Sequence, residues 1–144
     1  ALLVALPVCS LIPISIFSKI GKMESELFID YVDIEWALRA RSHGYQNYGV
    51  YSAQMVHSLG DRRVKFFKNA ISIHSPLRHY YQTRNAIILY KRSYIPLNWK
   101  VVDAFKMTAK MFVYVTTSRQ KFFELKMIVK GIMDGLRGIN GRVR

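Results

Sequence analysis

The stretch FIDYVDIEWALRARSHGY, residues 28–45, places three carboxylates, those of Asp30, Asp33 and Glu35, within six positions. We call residues 28–35 the acid segment. The rest of the chain is strongly basic, because its 144 residues carry a formal net charge of +13 at pH 7. Acids that only keep a surface soluble would be scattered. Their concentration between aromatic and aliphatic residues indicates carboxylates that are placed for a purpose.

The acid segment leads into a predicted helix from Asp33 to His43. Acids lie in its first turn, Arg39 and Arg41 lie towards its end, and Gly44 follows as a stop signal. The next stretch, Tyr45 to His57, is rich in Tyr and Val with partial alternation, which predicts a strand.

The N-terminal apolar run, residues 1–17, lacks the basic flank of a signal peptide and is interrupted by prolines. We therefore expect a buried strand at Leu2–Leu6 and a short helix from about Pro13 that ends at Gly21. The single cysteine, Cys9, excludes an internal disulfide and a cysteine-rich metal site.

Further along the chain, the sequence predicts three more helices. Ser75 and Pro76 are typical of an N-cap and a first helical residue, so a helix is expected to run from there to about Arg92. After Pro96, amphipathic patterns predict helices at roughly 97–117 and 119–136, before a Gly/Arg tail. The order is strand, helix, helix, strand and then helices, and we predict an α/β fold.

A helix of about 11 residues rises about 16 Å, and a returning strand covers that distance in about five residues. His57 can therefore lie level with Asp33 and face the same cleft. A carboxylate at a helix N-terminus is stabilised in its charged form and can act as a general base, while a neutral imidazole can bind a metal. The residues alone leave ordinary roles open: Asp33 as an N-cap, Glu35 paired with Arg39, and His57 as a structural histidine.

The acid segment also carries a resemblance to a known family. With SLIPISIFSKIGKM before it, and VYSAQMVHSLGD and ISIHSPLRHYYQTRNAIILYKRSYIPLNWK after it, the stretch resembles the second half of bacterial inverting family-2 glycosyltransferases of the GT-A type. It looks most like the rhamnosyltransferases that build surface polysaccharides such as O-antigen. The resemblance covers about residues 8–100. It implies that residues 1–95 form the α/β acceptor-binding part of a GT-A fold, and that residues 96–144 form a basic helical extension.

The resemblance also assigns roles to individual residues in and after the acid segment. Asp33 would be the base that deprotonates the acceptor hydroxyl, with Asp30 or Glu35 in support, and Trp36 would shape the acceptor site. His57 would help to bind a divalent metal, Mg²⁺ or Mn²⁺, on the donor diphosphate. The family's other metal-binding element, an Asp-x-Asp motif, does not occur in this sequence. We therefore expect the chain alone, without a donor-binding half, to be inactive.

The positive charge lies in the second part of the chain, where residues 61–144 hold 18 Lys and Arg against 4 Asp and Glu. His74, Arg78 and Arg84 are predicted to contact a diphosphate, and the alternative is a solvated cationic face over packed tyrosines. The last two helices interleave apolar and basic residues, which predicts binding to an anionic membrane surface. Alternatively, they pack on the globular part and expose their lysines to water.

These patterns predict a cytoplasmic protein that is peripheral at the inner face of the cell membrane. The resemblance implies a nucleotide-sugar donor, dTDP-rhamnose, and a lipid-linked glycan acceptor. A rival class is nucleic-acid binding, suggested by the pI of about 10.1. No RNP-like, zinc-finger or KH signature occurs, so we expect no nucleic-acid partner. A non-catalytic module that binds the membrane surface stays open as a third interpretation.

Overall fold

The computed structural model describes residues 10–50, 52, 54, 63–66, 69–72 and 75–143. Within these residues the chain is mainly helical, with one short hairpin. The helices are α1 (Ile14–Ile20), α2 (Val32–Ser42), α3 (Pro76–Tyr90), α4 (Leu97–Thr117) and α5 (Lys121–Arg137), with a 3₁₀ turn at Ser25–Leu27. Strand β1 (Arg63–Phe66) pairs antiparallel with β2 (Asn69–Ser72), with Arg63 opposite Ser72 and Phe66 opposite Asn69.

The predicted α/β fold, and with it a GT-A fold, is wrong for the part of the chain that the structure describes. That part is helical, and its two-stranded hairpin joins no larger sheet there. Residues 45–50 of the predicted strand Tyr45–His57 form no strand. The backbone N–H of Tyr45 instead donates to the carbonyl of Ala40 at 3.1 Å and closes the end of α2. Alternating Tyr and Val favour a strand only where a neighbouring strand pairs with them. The strand expected at Leu2–Leu6 lies outside the described residues.

The predicted helices are confirmed, because the residues that punctuate them act as expected. The Ser75 hydroxyl accepts a hydrogen bond from the N–H of Arg78 at 3.4 Å, and Pro76 is the first residue of α3. Gly21 and Gly44 follow α1 and α2 with φ of 85° and 86°, a conformation that glycine adopts without strain. Helix α4 has the predicted bounds, Leu97–Thr117.

Two hydrophobic clusters position α2. On one side, the buried side chains of Leu38, Leu89 and Trp99 join α2, α3 and α4 in one core. On the other side, Trp36 packs with Ile20 and fixes α1 against α2. Helix α2 is therefore covered from two directions, and only the side that carries Asp33 faces solvent in its first turn.

Helix α5 packs closely on α3 because two glycines lie at the contact. A Cβ atom added at Gly131 would come within 2.6 Å of the Tyr80 carbonyl oxygen, and one at Gly135 within 2.7 Å of the Arg84 carbonyl oxygen. Such distances are too short for any side chain, so the two helix backbones approach through these glycines.

Two carboxylates, the buried Asp134 and the half-buried Asp103, link the C-terminal helices to α3. The Tyr80 hydroxyl of α3 donates to Asp134 of α5 at 2.8 Å. Asp103 of α4 accepts hydrogen bonds from the hydroxyls of Tyr31 at 2.9 Å and Tyr90 at 2.7 Å. Burial and the nearby Asp103 raise the pKa values of both tyrosines far above their ordinary value. The packing of α5 on the rest of the protein was one of the two alternatives that the sequence left open.

Candidate functional site

Asp33 presents its carboxylate to solvent in the first turn of α2. The N-cap of this helix is Tyr31, in the left-handed conformation with φ of 65°, and no side chain caps the helix. Asp33 is therefore not the N-cap. Its Oδ1 accepts a hydrogen bond from the N–H of the next residue, Ile34, at 2.9 Å, and no cationic side chain of the described residues pairs with it. An exposed carboxylate at this position can accept a proton from a bound hydroxyl group.

Glu35, two positions later, lies on the opposite side of the helix and is 1% exposed. Its carboxylate oxygens accept from Arg39 Nε at 2.8 Å and from a terminal nitrogen of Arg39 at 3.0 Å. The Tyr94 hydroxyl donates to the same carboxylate at 2.5 Å. The alternative that Glu35 pairs with Arg39 is thus confirmed.

The pKa values of the Glu35 partners agree with this arrangement. Burial is the largest single influence on the pKa of Arg39 and lowers it, but the hydrogen bonds to Glu35 and the nearby negative charges, first of all that of Glu35, together raise the value overall. Burial and the bond to Glu35 also raise the pKa of Tyr94. Both partners therefore keep their protons and hold Glu35 in the interior, where it cannot contact a substrate without breaking these bonds. Its supporting role in catalysis stays a prediction that this geometry does not favour.

Asp30 is engaged by Arg78 of α3. The guanidinium Nε donates to one carboxylate oxygen at 2.9 Å and a terminal nitrogen donates to the other at 3.0 Å. Such a bidentate pair fixes the geometry of both side chains. Arg78 is one-third exposed, and its contact with a phosphate, predicted from the sequence, stays a prediction.

Trp36 and Arg84 lie in the interior. Trp36 Nε1 donates to the carbonyl of Gly21 at 2.9 Å, and its ring lies against Phe17 at 5.2 Å between centroids. The core-packing alternative describes these contacts, and a role in the acceptor site stays a prediction. Arg84 is fully buried and donates to the carbonyl oxygens of Leu27 at 3.0 Å and Gly141 at 2.5 Å. A phosphate could reach this guanidinium only after the tail around Gly141 had moved away.

His57 and His74 lie outside the described residues. The part of the chain that the structure describes contains no group of three or more His, Cys, Asp or Glu side chains able to hold a metal ion. The described side chains therefore do not fit a metal centre, and the metal assigned to His57 stays a prediction from the resemblance.

Two features near the site were not predicted from the sequence. Asn85, in the middle of α3, donates to three carbonyl oxygens of the chain just before Asp33. The C-terminal tail folds back, since the N–H of Gly141 donates to the carbonyl of Glu26 at 2.7 Å and that of Val143 to the Tyr81 hydroxyl at 2.9 Å. Asn85 lies on the same helical face as Tyr81, Ile88 and Leu89, and an amide on such a face was a signal. Gly141 and Glu26 are more than a hundred positions apart in the sequence, so no local pattern predicts their contact.

The exposed side of α4 is apolar. Leu97, Val101, Phe105 and Phe112 recur at helical spacing and point away from the buried Trp99 and Met107 side, and Phe105 is 78% exposed. Helix α5 adds an open groove of about 540 Å³ that contains both apolar and basic groups, lined by Phe122, Leu125, Lys126, Val129, Lys130, Met133, Asp134 and Arg137. Within the described residues, no helix has the length and apolarity to cross a membrane.

Comparison with known proteins gives one informative similarity. The chain is 36% identical over 126 residues to the dTDP-rhamnosyl transferase RfbF of Shigella flexneri. The aligned part covers 88% of this chain and 43% of that protein, so the chain spans less than half the length of the curated relative it matches. No protein-family model matches the chain, and no solved structure matches it. This similarity supports the resemblance of the sequence to rhamnosyltransferase-like glycosyltransferases.

Proposed function

We propose that the chain is part of a rhamnosyltransferase, and that the natural protein carrying it transfers a rhamnosyl group from dTDP-rhamnose to an acceptor hydroxyl. The observation that carries this proposal is the 36% identity to a dTDP-rhamnosyl transferase along 88% of the chain. The acceptor, by the resemblance of the acid segment, is a lipid-linked glycan of a surface polysaccharide.

Asp33 is the proposed base. Its carboxylate is exposed and lies where helix N–H groups favour negative charge. In the step we propose, the acceptor hydroxyl transfers its proton to Asp33 while its oxygen attacks the anomeric carbon. The bond from that carbon to the diphosphate oxygen breaks, and dTDP leaves with the bonding electron pair. A single displacement of this kind inverts the anomeric carbon and needs one base. Asp30 and Glu35 are less suited to this role, because both carboxylates are held by arginines.

The assay uses the full natural protein with dTDP-rhamnose labelled in the sugar, and membranes that carry lipid-linked glycans. We expect label in the glycolipid fraction, and none when the donor is UDP-glucose. NMR of the product should show the anomeric configuration opposite to that of the donor. Absence of transfer with folded protein and several glycan acceptors would contradict the proposed function. Retention of configuration would contradict the single displacement.

The resemblance also assigns His57 to a divalent cation. Activity that disappears with EDTA and returns with Mg²⁺ or Mn²⁺ would support that assignment. Full activity after exhaustive chelation would contradict it.

We further propose that the protein is cytoplasmic and binds the anionic inner face of the cell membrane through α4 and α5. The support is the apolar side of α4, flanked by Lys100 and Lys106, and the mixed apolar and basic groove of α5. Apolar side chains that enter the interface and lysines near anionic head groups, at about 1 kcal/mol each, would act together.

Liposome flotation tests this attachment. We expect binding to vesicles with anionic lipid at low salt and loss of binding in about 0.5 M salt, where screening is strong. Replacing Phe105 and Phe112 by Ser should weaken binding, whereas Tyr48→Ser, an exposed aromatic residue outside α4 and α5, should leave it unchanged. No binding of the wild-type protein at low salt would contradict the proposal.

A further inference from the structure

The backbone just before Asp33 adopts a conformation that is rare for its residue types. Phe28, Asp30 and Tyr31 have φ of 64°, 60° and 65°, although none of them is glycine. Each residue held in this region costs on the order of 1 kcal/mol or more, and such strain persists only where the surroundings enforce it. The turn at residues 27–31 therefore depends on contacts from outside itself.

Asn85 supplies the most concentrated of these contacts. Its side-chain amide nitrogen donates to the carbonyl oxygens of Leu27 at 2.9 Å, Ile29 at 2.8 Å and Asp30 at 3.0 Å. The side chain is fully buried. A primary amide has two N–H donors, so one of them is shared between two of the three carbonyl oxygens. Without Asn85, the carbonyls of Ile29 and Asp30 would lose this partner, whereas that of Leu27 would keep Arg84.

The neighbouring side chains of α3 complete the support. Arg84 Nε donates to the Asn85 side-chain oxygen at 3.0 Å, which orients the amide, and a terminal nitrogen of Arg84 bonds to the carbonyl of Leu27 at 3.0 Å. Arg78, one and a half turns earlier, holds the Asp30 carboxylate. The turn is thus fixed at both ends and in its middle by one helix.

The turn continues directly into the helix that carries Asp33. The Tyr31 carbonyl accepts the N–H of Glu35 at 2.8 Å, the first hydrogen bond of α2, and Tyr31 itself is one of the strained residues. A change in the turn would therefore alter the direction of the first helical turn, and with it the position of the Asp33 carboxylate.

We propose that Asn85 is a positioning residue for the base: by binding the carbonyls of residues 27, 29 and 30, it holds the strained turn that places Asp33 against the acceptor hydroxyl. This inference rests on the proposed function of Asp33. A misplacement of about 1 Å can reduce a rate by about a hundredfold, so the kcat of Asn85→Ala should fall by roughly tenfold to a hundredfold. The KM for the sugar nucleotide should change little, because the turn serves the acceptor side.

The test is a double-mutant cycle in the full natural protein, with rhamnosyl transfer as the readout. The variants are Asn85→Ala, Asp33→Glu and the pair, because Asp33→Glu should retain measurable activity. If Asn85 acts through the position of Asp33, the double variant should be about as slow as the slower single variant. If Asn85 affects the rate independently of Asp33, the two losses in kcat should multiply.

Tyr80→Phe is the matched control, because it removes a buried hydrogen bond that joins α3 to Asp134 of α5 and involves no residue of the turn. It should lower the melting temperature while its kcat at a temperature where it is folded stays near the wild-type value.

If Asn85→Ala does not fold, Arg78→Gln takes its place, since this partly exposed side chain holds the same turn through Asp30. It should show the same non-multiplicative pattern with a smaller loss. If the wild-type protein transfers rhamnose and the kcat losses of the single variants multiply in the double variant, the positioning role is wrong and the proposed function stands. No transfer by the folded wild-type protein would overturn the proposed function, and the positioning role with it.

Discussion

The solvent side and the core side of α2 each carry a carboxylate, and the two groups have opposite surroundings. On the solvent side, Asp33 is exposed and bonds only to a neighbouring backbone N–H among the described residues. On the core side, Glu35 is buried and bound by Arg39 and Tyr94. The sequence shows two acids two positions apart. Their surroundings make one available for chemistry and the other a structural group.

The largest effect on stability is expected on the core side. Glu35→Ala should lower the free energy of unfolding by about 3 kcal/mol, because it leaves the partly buried Arg39 guanidinium without its counter-ion. Asp33→Ala, in the same helical turn, is the matched control and should change stability by no more than about 0.5 kcal/mol. Urea unfolding measures both values. Equal effects of the two substitutions would remove the distinction between the two sides.

The next loss of stability is expected at the contact between α5 and α3. Gly135→Ala should destabilise the protein by about 2 kcal/mol, because the added methyl group would overlap the Arg84 carbonyl and force α5 away from α3. The sign is informative, since alanine is the better helix former by about 1 kcal/mol. Lys126→Ala, on the exposed side of α5, should be close to neutral. Stabilisation by Gly135→Ala in thermal unfolding would show that the helices do not approach as closely as described.

A smaller loss is expected when one partner of Glu35 is removed and the other stays. Tyr94→Phe should cost about 1 kcal/mol, because Arg39 still satisfies the carboxylate. Tyr48→Phe, whose hydroxyl lies in an exposed contact with Gln46, should have no measurable effect. Chemical denaturation at neutral pH separates the two variants. A loss as large as that of Glu35→Ala would mean that Tyr94 rather than Arg39 holds the carboxylate.

The last effect emerges only at high pH. Burial and the bond to Asp134 raise the pKa of Tyr80 to about 12, from about 10 in an unfolded chain. The folded protein therefore binds this proton more tightly than the unfolded chain does. The stability that results is complete below about pH 10 and is lost as the pH rises from about 10 to about 12. In Tyr80→Phe, unfolding free energy should fall less steeply across this range. The same slope in both proteins would contradict the assignment.

Local signals in the sequence were enough to predict the helices and insufficient for the site. Serine and proline predicted the starts of α3 and α4, and glycine predicted the ends of α1 and α2, because capping and chain-breaking are decided by residues close in sequence. The strand expected from Tyr45 failed over residues 45–50, because strand formation depends on a partner that local patterns do not reveal.

The residues at the candidate site show the same contrast between contacts that are local in the sequence and contacts that are distant. Pairing of Glu35 with Arg39 follows from helical spacing and was foreseen as an alternative. That Arg84 is buried, rather than available to a phosphate, depends on the tail at Gly141, which no pattern in α3 could indicate. The strained turn before Asp33 likewise depends on Asn85, more than fifty positions away.

The assignment of Asp33 as the base is tested most directly by comparing the two sides of α2 in one assay. The assay measures the rate of rhamnosyl transfer by the full natural protein. We predict that Asp33→Asn reduces the rate by about a hundredfold or more, within the usual range for loss of a general base, while the protein stays as stable as the wild type. Glu35→Gln, measured at a temperature where it is folded, should keep its rate within about tenfold of the wild-type rate. An Asp33→Asn enzyme as fast as the wild type, or a Glu35→Gln enzyme that is folded and inactive, would contradict the assignment of Asp33 as the base.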